Sequence, residues 1–427
     1  MFFRTCRSCL LLTVLWSASA SAETWTLQNS LAQAMKTAPE LQQAQAEVAA
    51  QREQARLSGM WPDPSVEFRV DNKLGKDDGS GGLDLTDVTI SQPIPVSRLK
   101  HQQAVADAYV RSAELAGGYK ALAVQNRVAQ AFHQLQFASA HLEMAEKRLQ
   151  LADDLRRQSG KNAQGVVVRY LTPLEKMRLD IIREEAHQQL TNAEGKYSEA
   201  VNEFVRLLAI DPQDVGAVAS LNPVDELPQL AQLQAAQQQH PQLNVQAQNL
   251  QAAQAEIDLA RTSQLADPTI SLSRSRDTFN DGRDDVYGIM FNVQIPIHDR
   301  KDAAVSKARY QASQQRIELQ RMKRDLQINL KRSYTHSHHL LEQAKDYQQR
   351  VLKPAQNMLR LTQRGFNSGE LNMLSLVDAN STYFDARLRY LELIYQTHAE
   401  LADLRFYAGQ LLDVNSQSMP VTDQGGI

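Results

Sequence analysis

Three closely spaced histidines, His336, His338 and His339, are the residues of this sequence whose type and spacing could bind a metal ion. On a helix, His336 and His339 would share a face, because side chains three residues apart lie on the same side. Two imidazoles supply only half of the four ligands of a structural zinc site. Solvated faces of long helices also carry histidines, so we assign no metal ligand. The sequence leaves open whether this cluster binds metal.

Catalytic patterns are missing from the sequence. It contains no Ser/His/Asp triad, nucleotide-binding loop or pair of carboxylates at a usable spacing. Its 46 basic and 49 acidic residues give a net charge of −3, whereas a nucleic-acid partner requires a basic surface. We therefore predict no enzyme activity, no cofactor and no binding of nucleic acid.

Residues 1–22 have the composition of a secretory signal peptide. Two arginines precede an apolar run at 10–16, and small residues follow at 20–22. Both cysteines of the chain, Cys6 and Cys9, lie in this segment. The mature protein is therefore expected to be exported and to contain no thiol or disulfide.

The remaining sequence consists of two similar halves. Three short proline motifs of the first half recur about 200 residues later in the same order, which indicates an internal duplication; they contain Pro39, Pro64 and Pro95 and are repeated at Pro241, Pro268 and Pro296. Further prolines near 212–228 interrupt the helical pattern. We predict a first structural repeat at 23–211, a linker at 212–228, a second repeat at 229–413 and a flexible tail at 414–427.

Each half has the same predicted order of elements. A helix (27–58 and 229–264) precedes two segments of alternating apolar and polar residues, which are typical of a β-hairpin. A helix of about 60 residues follows (98–158 and 302–364), then a turn with glycines and a returning helix (172–208 and 373–411). The predicted fold class is mainly α with a small β part, and helices of this length need coiled-coil partners.

Four short strands place a limit on any membrane-spanning arrangement. Open sheet edges are forbidden in lipid, because each unpaired backbone group costs several kcal/mol. Closing a barrel takes about eight strands or more. If the strands span a membrane, we predict a homotrimer with one shared twelve-stranded β-barrel, continued by a barrel of long α-helices.

This layout resembles the TolC-type outer-membrane efflux family. The resemblance covers residues 25–412 and rests on the duplicated halves, on the Gln/Pro exits from the hairpins at 92–95 and 294–296, and on the segment 366–379. The first exit, which continues into the basic start of a long helix at 98, is most similar to the heavy-metal branch, the cobalt–zinc–cadmium type.

The resemblance implies a passive exit duct of a tripartite efflux system. The implied trimer has its barrel in outer-membrane lipid and its helices in the periplasm. The implied partners are a periplasmic adaptor (membrane fusion) protein and an inner-membrane pump of the resistance–nodulation–division class. The branch implies that heavy-metal cations are the substrate.

The far ends of the long helices match the tips at which this family docks its adaptor. Asn367, Ser368 and Gly369 match the tip motif in the second half, and Gly165 is the matching residue in the first half. Glycine at these positions permits the positive φ angle of a chain reversal. The resemblance therefore implies that these four residues form adaptor-docking tips.

The channel entrance is the second site that the resemblance implies. Asp378 matches one of the two acidic positions that narrow the family's channel, and Ser375 occupies the other. A threefold ring of Asp378 would attract cations and hold the entrance narrow. A solvated carboxylate on a helix face is the alternative interpretation of Asp378.

A periplasmic coiled-coil adaptor or scaffold of an export complex is the alternative function. Such a protein would carry one helical hairpin flanked by Gly/Val-rich β-domains. This sequence instead predicts two helical hairpins and only four short strands, which favours the channel.

Overall fold

The computed structural model describes residues 24–71, 84–95, 98–158, 172–262, 267–279, 282–295 and 300–412. The predicted signal peptide, the predicted tail and Gly165 lie outside the described residues. Within the described ranges the chain is mainly helical and has one small sheet. The mainly α fold class with a small β part is therefore confirmed.

Helices and strands occur in the same order in both halves. The first half contains α1 (Leu27–Thr37), α2 (Pro39–Ser58), β1 (Ser65–Asp71), β2 (Asp84–Pro93), α3 (Arg98–Gln158) and α4 (Pro173–Leu208). The second contains α5 (Leu230–Gln237), α6 (Pro241–Thr262), β3 (Thr269–Phe279), β4 (Gly282–Asn292), α7 (Arg300–Tyr347), a π-helical turn (Gln348–Leu352), α8 (Lys353–Asn367) and α9 (Met373–Ala408). A short 3₁₀ turn, Pro212–Asp214, lies between the halves. The predicted repeat boundaries stay predictions.

Prolines divide three helices that the sequence pattern predicted as continuous. The first helix of each half is split in two, with Pro39 and Pro241 as the first residues of α2 and α6. Proline is favoured at the first helical position, where its missing N–H would have had no partner. The long helix after β4 contains the π-helical turn directly before α8, whose first turn holds Pro354. A wider turn accommodates the proline ring and the lost hydrogen bond.

The helix α3 is central to the described part of the chain and packs against α2, α4, α6 and α9. Its 61 residues span roughly 90 Å, at about 1.5 Å per residue. Near its middle, Val128, Phe132 and Leu135 form a core with Leu31 of α1 and Phe204 of α4. None of the described helices combines the length and the apolar character that a membrane crossing requires.

The four strands form one antiparallel sheet in the order β1-β2-β3-β4. The pairing of β2 with β3 joins the two halves of the chain, and Ser91 opposite Ser271 is one pair of this junction. The outer strands β1 and β4 are each paired on one side only within the described chain. The sheet therefore has two open edges.

Candidate functional site

The sheet has one continuous apolar face. Pairing places one apolar residue from each strand in a single row across the sheet: Val66, Ile90, Leu272 and Ile289. Phe68 and Tyr287 lie one row further along the strands on the same face. Phe68 is 67% exposed and Ile289 is 68% exposed. An exposed apolar patch of this extent indicates contact with a protein or a membrane.

The opposite face of the sheet is mainly polar, although Met290 and Val286 of β4 also lie on it. Its central row runs across all four strands through Glu67, Thr89, Ser273 and Gly288. In the adjacent row, the hydroxyls of Ser91 and Ser271 are 2.8 Å apart and hydrogen bond across the junction between β2 and β3. This alternation is the pattern of a strand with one face toward an apolar phase and one toward water.

The turn between α8 and α9 is the second-half tip. Ser368 is the C-cap of α8, and Gly369 has a φ of +80°, a backbone conformation that favours glycine. The carbonyl of Gly365 accepts hydrogen bonds from the amides of Glu370 (2.9 Å) and Leu371 (3.0 Å). Carbonyl groups at the end of α8 are thus satisfied within the turn, as in other glycine-terminated helices.

The start of α9 is fixed by a side-chain cap. The Oδ1 of Asn372 accepts hydrogen bonds from the Ser375 amide and from its hydroxyl, each 2.8 Å long. Asp378 follows one turn later with an exposed side chain. The structure therefore places Ser375 and Asp378 on the first turns of α9, directly after the turn that holds Ser368 and Gly369.

Four helices converge behind this turn. Leu155 of α3, Leu179 of α4 and Met373 and Leu376 of α9 form a buried cluster, against which Phe366 of α8 packs. On the other side of the cluster, α4 begins with a capping box, in which the side chains of Thr172 and Glu175 bond each other's backbone amides. The two helical hairpins therefore end side by side.

An ion pair that the sequence analysis missed connects the two hairpins. Arg148 of α3 donates to Oδ1 of Asp385 (3.0 Å) and to the hydroxyl of Ser381 (3.0 Å), both on α9. Arg148 and Asp385 are 237 positions apart, so local spacing contains no signal of their contact. This ion pair adds a polar contact between α3 and α9.

Buried polar side chains hold the segment between the halves. Gln136 of α3 donates from Nε2 to the carbonyls of Ala219 (2.8 Å) and Ser220 (3.1 Å). Its Oε1 lies 2.8 Å from Nδ1 of His133, which therefore carries a proton. Burial lowers the pKa of His133 to about 4, with a further contribution from the adjacent His398. This cluster was also missed, because its members come from distant parts of the chain.

The histidines 336, 338 and 339 do not converge on one point. His336 lies 3.0 Å from a Glu400 carboxylate oxygen, and His338 lies 3.4 Å from Glu342. His336 shares an open groove with Lys331 and Arg332, and these cations would repel a metal ion. Within the described ranges, no group of three or more His, Cys, Asp or Glu side chains is arranged to hold a metal ion.

Solved structures with the same fold include outer-membrane channels. The chain superposes on the open state of the Neisseria gonorrhoeae MtrE outer membrane channel with a TM-score of 0.75, at 18% identity, covering 92% of this chain and 91% of that one. For the Campylobacter jejuni CmeC outer membrane channel the TM-score is 0.73, at 14% identity, with 91% and 87% covered. For CusC, whose structures were described in connection with transmembrane channel formation, the TM-score is 0.71 at 20% identity. That match covers 90% of this chain and 92% of that one.

Sequence comparison finds a matching family model. Residues 232–410 match the model of the outer membrane efflux protein family. The chain is also 26% identical over 260 residues to the cobalt-zinc-cadmium resistance protein CzcC of Cupriavidus metallidurans. That match covers 60% of this chain and 62% of the relative. The resemblance to the outer-membrane efflux family that the sequence predicted, with its similarity to the heavy-metal branch, is therefore confirmed.

Proposed function

We propose that this protein is an outer-membrane exit duct of a tripartite efflux system, which passively conducts substrate from the periplasm to the outside. The two-faced sheet is the observation that carries this proposal. Its exposed apolar face, with Phe68 and Ile289, fits lipid, and its polar face fits a water-filled lumen. The long helices, with their many charged and Gln side chains, would extend into the periplasm.

Open sheet edges support a homotrimer. Lipid does not tolerate the unpaired backbone groups of β1 and β4, and one chain supplies only half of the smallest closed barrel. Three chains would pair β1 of one protomer with β4 of the next and close a barrel of twelve strands. The two repeats, 23–211 and 229–413 with the linker 212–228, would each contribute one hairpin per protomer.

The arrangement of the long helices supports the same assembly. They lie in the order α4, α3, α9 and α7, with α8 continuing α7 along α9. The outermost helices expose large apolar side chains away from their neighbours in the chain. On α4 these include Met177 and Ile181, and on the α7–α8 side Ile317 and Leu361. Such stripes need partners, and the matching edge of a neighbouring protomer would provide them in an α-helical barrel.

Heavy-metal cations are the substrates that we propose, because CzcC is named for cobalt, zinc and cadmium resistance. The proposed partners are a periplasmic adaptor protein and an inner-membrane pump of the resistance–nodulation–division class.

Asn367, Ser368 and Gly369 would form the adaptor-docking tip together with Gly165. The capped, tightly packed turn after α8 supports this assignment, since a docking surface needs a defined shape.

We also propose that Asp378, with Ser375 one turn earlier, lines the channel entrance as a threefold ring. Replacing Asp378 by Ala should raise single-channel conductance in planar bilayers by about twofold or more, because it removes both bulk and a cation-binding ring. Asp346→Ala, an exposed aspartate on α7, is the matched control and should leave conductance unchanged. Equal conductance in wild type and Asp378→Ala would remove this residue from the gate.

Cell fractionation and mass measurement test the duct itself. The mature protein should be recovered in the outer membrane and should have the mass of a trimer in mild detergent. A soluble periplasmic monomer or dimer would contradict the duct and favour the alternative, a coiled-coil adaptor or scaffold.

Deletion of the gene tests the proposed substrate class and should increase the sensitivity of the cells to cobalt, zinc or cadmium. Unchanged sensitivity to all three would contradict that substrate class.

A further inference from the structure

We propose that Arg274 and Arg276 of β3 form a binding surface for the phosphate groups of outer-leaflet lipid. This inference rests on the proposed function, in which the apolar face of the sheet contacts lipid. The two arginines lie on that same face, because they alternate in step with Leu272 on β3. Side chains two residues apart on a strand point to the same side of the sheet.

The two arginines lie toward one end of the apolar face. Arg274 shares the row of Phe68 and Tyr287, next to the row of Leu272 and Ile289, and Arg276 is one row further. The β3–β4 turn is at this end of the sheet, whereas the helices α6 and α7 join the opposite end. With the helices in the periplasm, the arginines would therefore lie at the outer surface of the membrane, at the level of the lipid headgroups.

A single carboxylate orients both guanidinium groups. Arg274 Nη2 lies 2.6 Å from Oδ2 of Asp285, and Arg276 Nε lies 3.4 Å from its Oδ1. Arg274 and Arg276 are 52% and 46% exposed, so both retain free surface for a further ligand. One negative charge between two positive ones leaves a net positive patch, and guanidinium groups pair with phosphate oxygens in a bidentate geometry.

The surroundings of the patch indicate a lipid rather than a free anion. Tyr287 lies directly opposite Arg274 on the neighbouring strand, and its side chain is 75% exposed. Amphipathic aromatic rings are enriched at the boundary between the hydrocarbon and water. A lipid whose phosphate bonds the arginines would place its acyl chains along the row of Leu272 and Ile289. A free phosphate would use only the charged part of this surface.

Native mass spectrometry of the full protein in mild detergent, with bisphosphorylated lipid A added, tests the proposal. Wild type should retain lipid A, and lipid A lacking both phosphates should bind at least about tenfold more weakly. The double variant Arg274→Gln/Arg276→Gln should lose binding of the phosphorylated form by a similar factor. Arg69→Gln is the matched control, because Arg69 of β1 lies near the same level on the polar face, and it should bind lipid A as wild type does.

Three results would overturn the inference. The first is unchanged lipid A binding by the double variant. The second is a loss of binding in Arg69→Gln alone, which would place lipid on the opposite face. The third is complete competition by millimolar inorganic phosphate, which would identify a simple anion site. Fractionation of the double variant separates this proposal from the duct: an outer-membrane trimer without lipid A binding would leave the duct standing and contradict only the role of the arginines.

Discussion

At the scale of single residues, His133 shows how burial changes the chemistry of a side chain. Its ring is stacked on that of His398 with centroids 4.4 Å apart, and its Nδ1–H donates to Gln136. A charged imidazolium here would be desolvated and close to Arg405, whose charge also lowers the pKa of His133. The residue is therefore held neutral in the folded protein.

This neutral histidine predicts acid sensitivity in a defined pH range. The pKa of His133 is lowered from 6.5 to about 4 in the folded protein, so only the unfolded chain takes up its proton between those values. The stabilisation is complete above pH 6.5 and is lost as the pH falls toward 4. At pH 5 the loss amounts to about 2 kcal/mol.

The thermal unfolding midpoint of His133→Gln should therefore fall less between pH 7 and pH 5 than that of wild type. His339→Gln, which changes an exposed histidine on α7, should keep the wild-type pH dependence. An equal fall in His133→Gln and wild type would show that another group causes the acid sensitivity.

Gly369 is a second position where one residue type decides local structure. Its φ of +80° strains any residue with a Cβ, so Gly369→Ala should destabilise the tip by about 1 kcal/mol. Gly195 lies in the interior of α4, where an added methyl group would meet open space. Gly195→Ala should therefore stabilise the protein by roughly 0.5–1 kcal/mol. Denaturant unfolding measures both, and equal effects of the two substitutions would contradict this account.

At the scale of elements, α3 determines how the segment between the halves is attached. It provides Gln136, which bonds two backbone carbonyls of that segment, and Phe132, which packs against Phe204 of α4. His398 of α9 donates from Nε2 to the carbonyl of Asn222, 2.7 Å away. Side chains from both hairpins thus hold a segment that has little secondary structure of its own.

Loss of the Gln136 amide should release this segment. Gln136→Ala leaves two carbonyls and the His133 N–H without their partner, which should cost about 2–3 kcal/mol. Limited proteolysis should then cut within 212–228 faster than in wild type. Gln134→Ala, which changes an exposed glutamine on the same helix, should be cut at the wild-type rate. Equal cutting of Gln136→Ala and wild type would mean that other contacts hold the segment.

Prediction of elements from the sequence succeeded where periodicity is regular. Residues 98–158 were predicted to be helical and form α3, because a long apolar repeat follows the Ile-Pro step. The helix predicted at 302–364 was taken as continuous, and the π-helical turn before Pro354 was not predicted. The alternating pattern of the last strand was also extended to 295 and 297, whereas β4 ends at Asn292. Alternation alone does not show where a strand loses its partner.

At the scale of the whole molecule, the outer helices α4 and α7–α8 are the surfaces that the proposed trimer would bury. Their exposed apolar side chains have no cover within the described chain, so a ring of protomers would bury them against one another. Ile181→Glu should abolish the trimer, because it would bury an unpaired charge in the interface. Lys176→Glu, an exposed position in the same part of α4, should remain trimeric. Mass measurement in mild detergent distinguishes these outcomes, and a trimeric Ile181→Glu would move the interface elsewhere.

The sequence alone determined the local features of this protein: the order of elements that recurs in the two halves, the extents of α3, α4 and α9, the four alternating strands and the glycine-containing turn after α8. Each depends on residues close together in the chain, where periodicity and the properties of Pro and Gly are sufficient. Only the tertiary structure decided that β2 pairs with β3, that Arg148 bonds Asp385 and that His133 stacks on His398. These contacts join residues 176 or more positions apart, and they form only when the packing of long helices brings the two halves side by side.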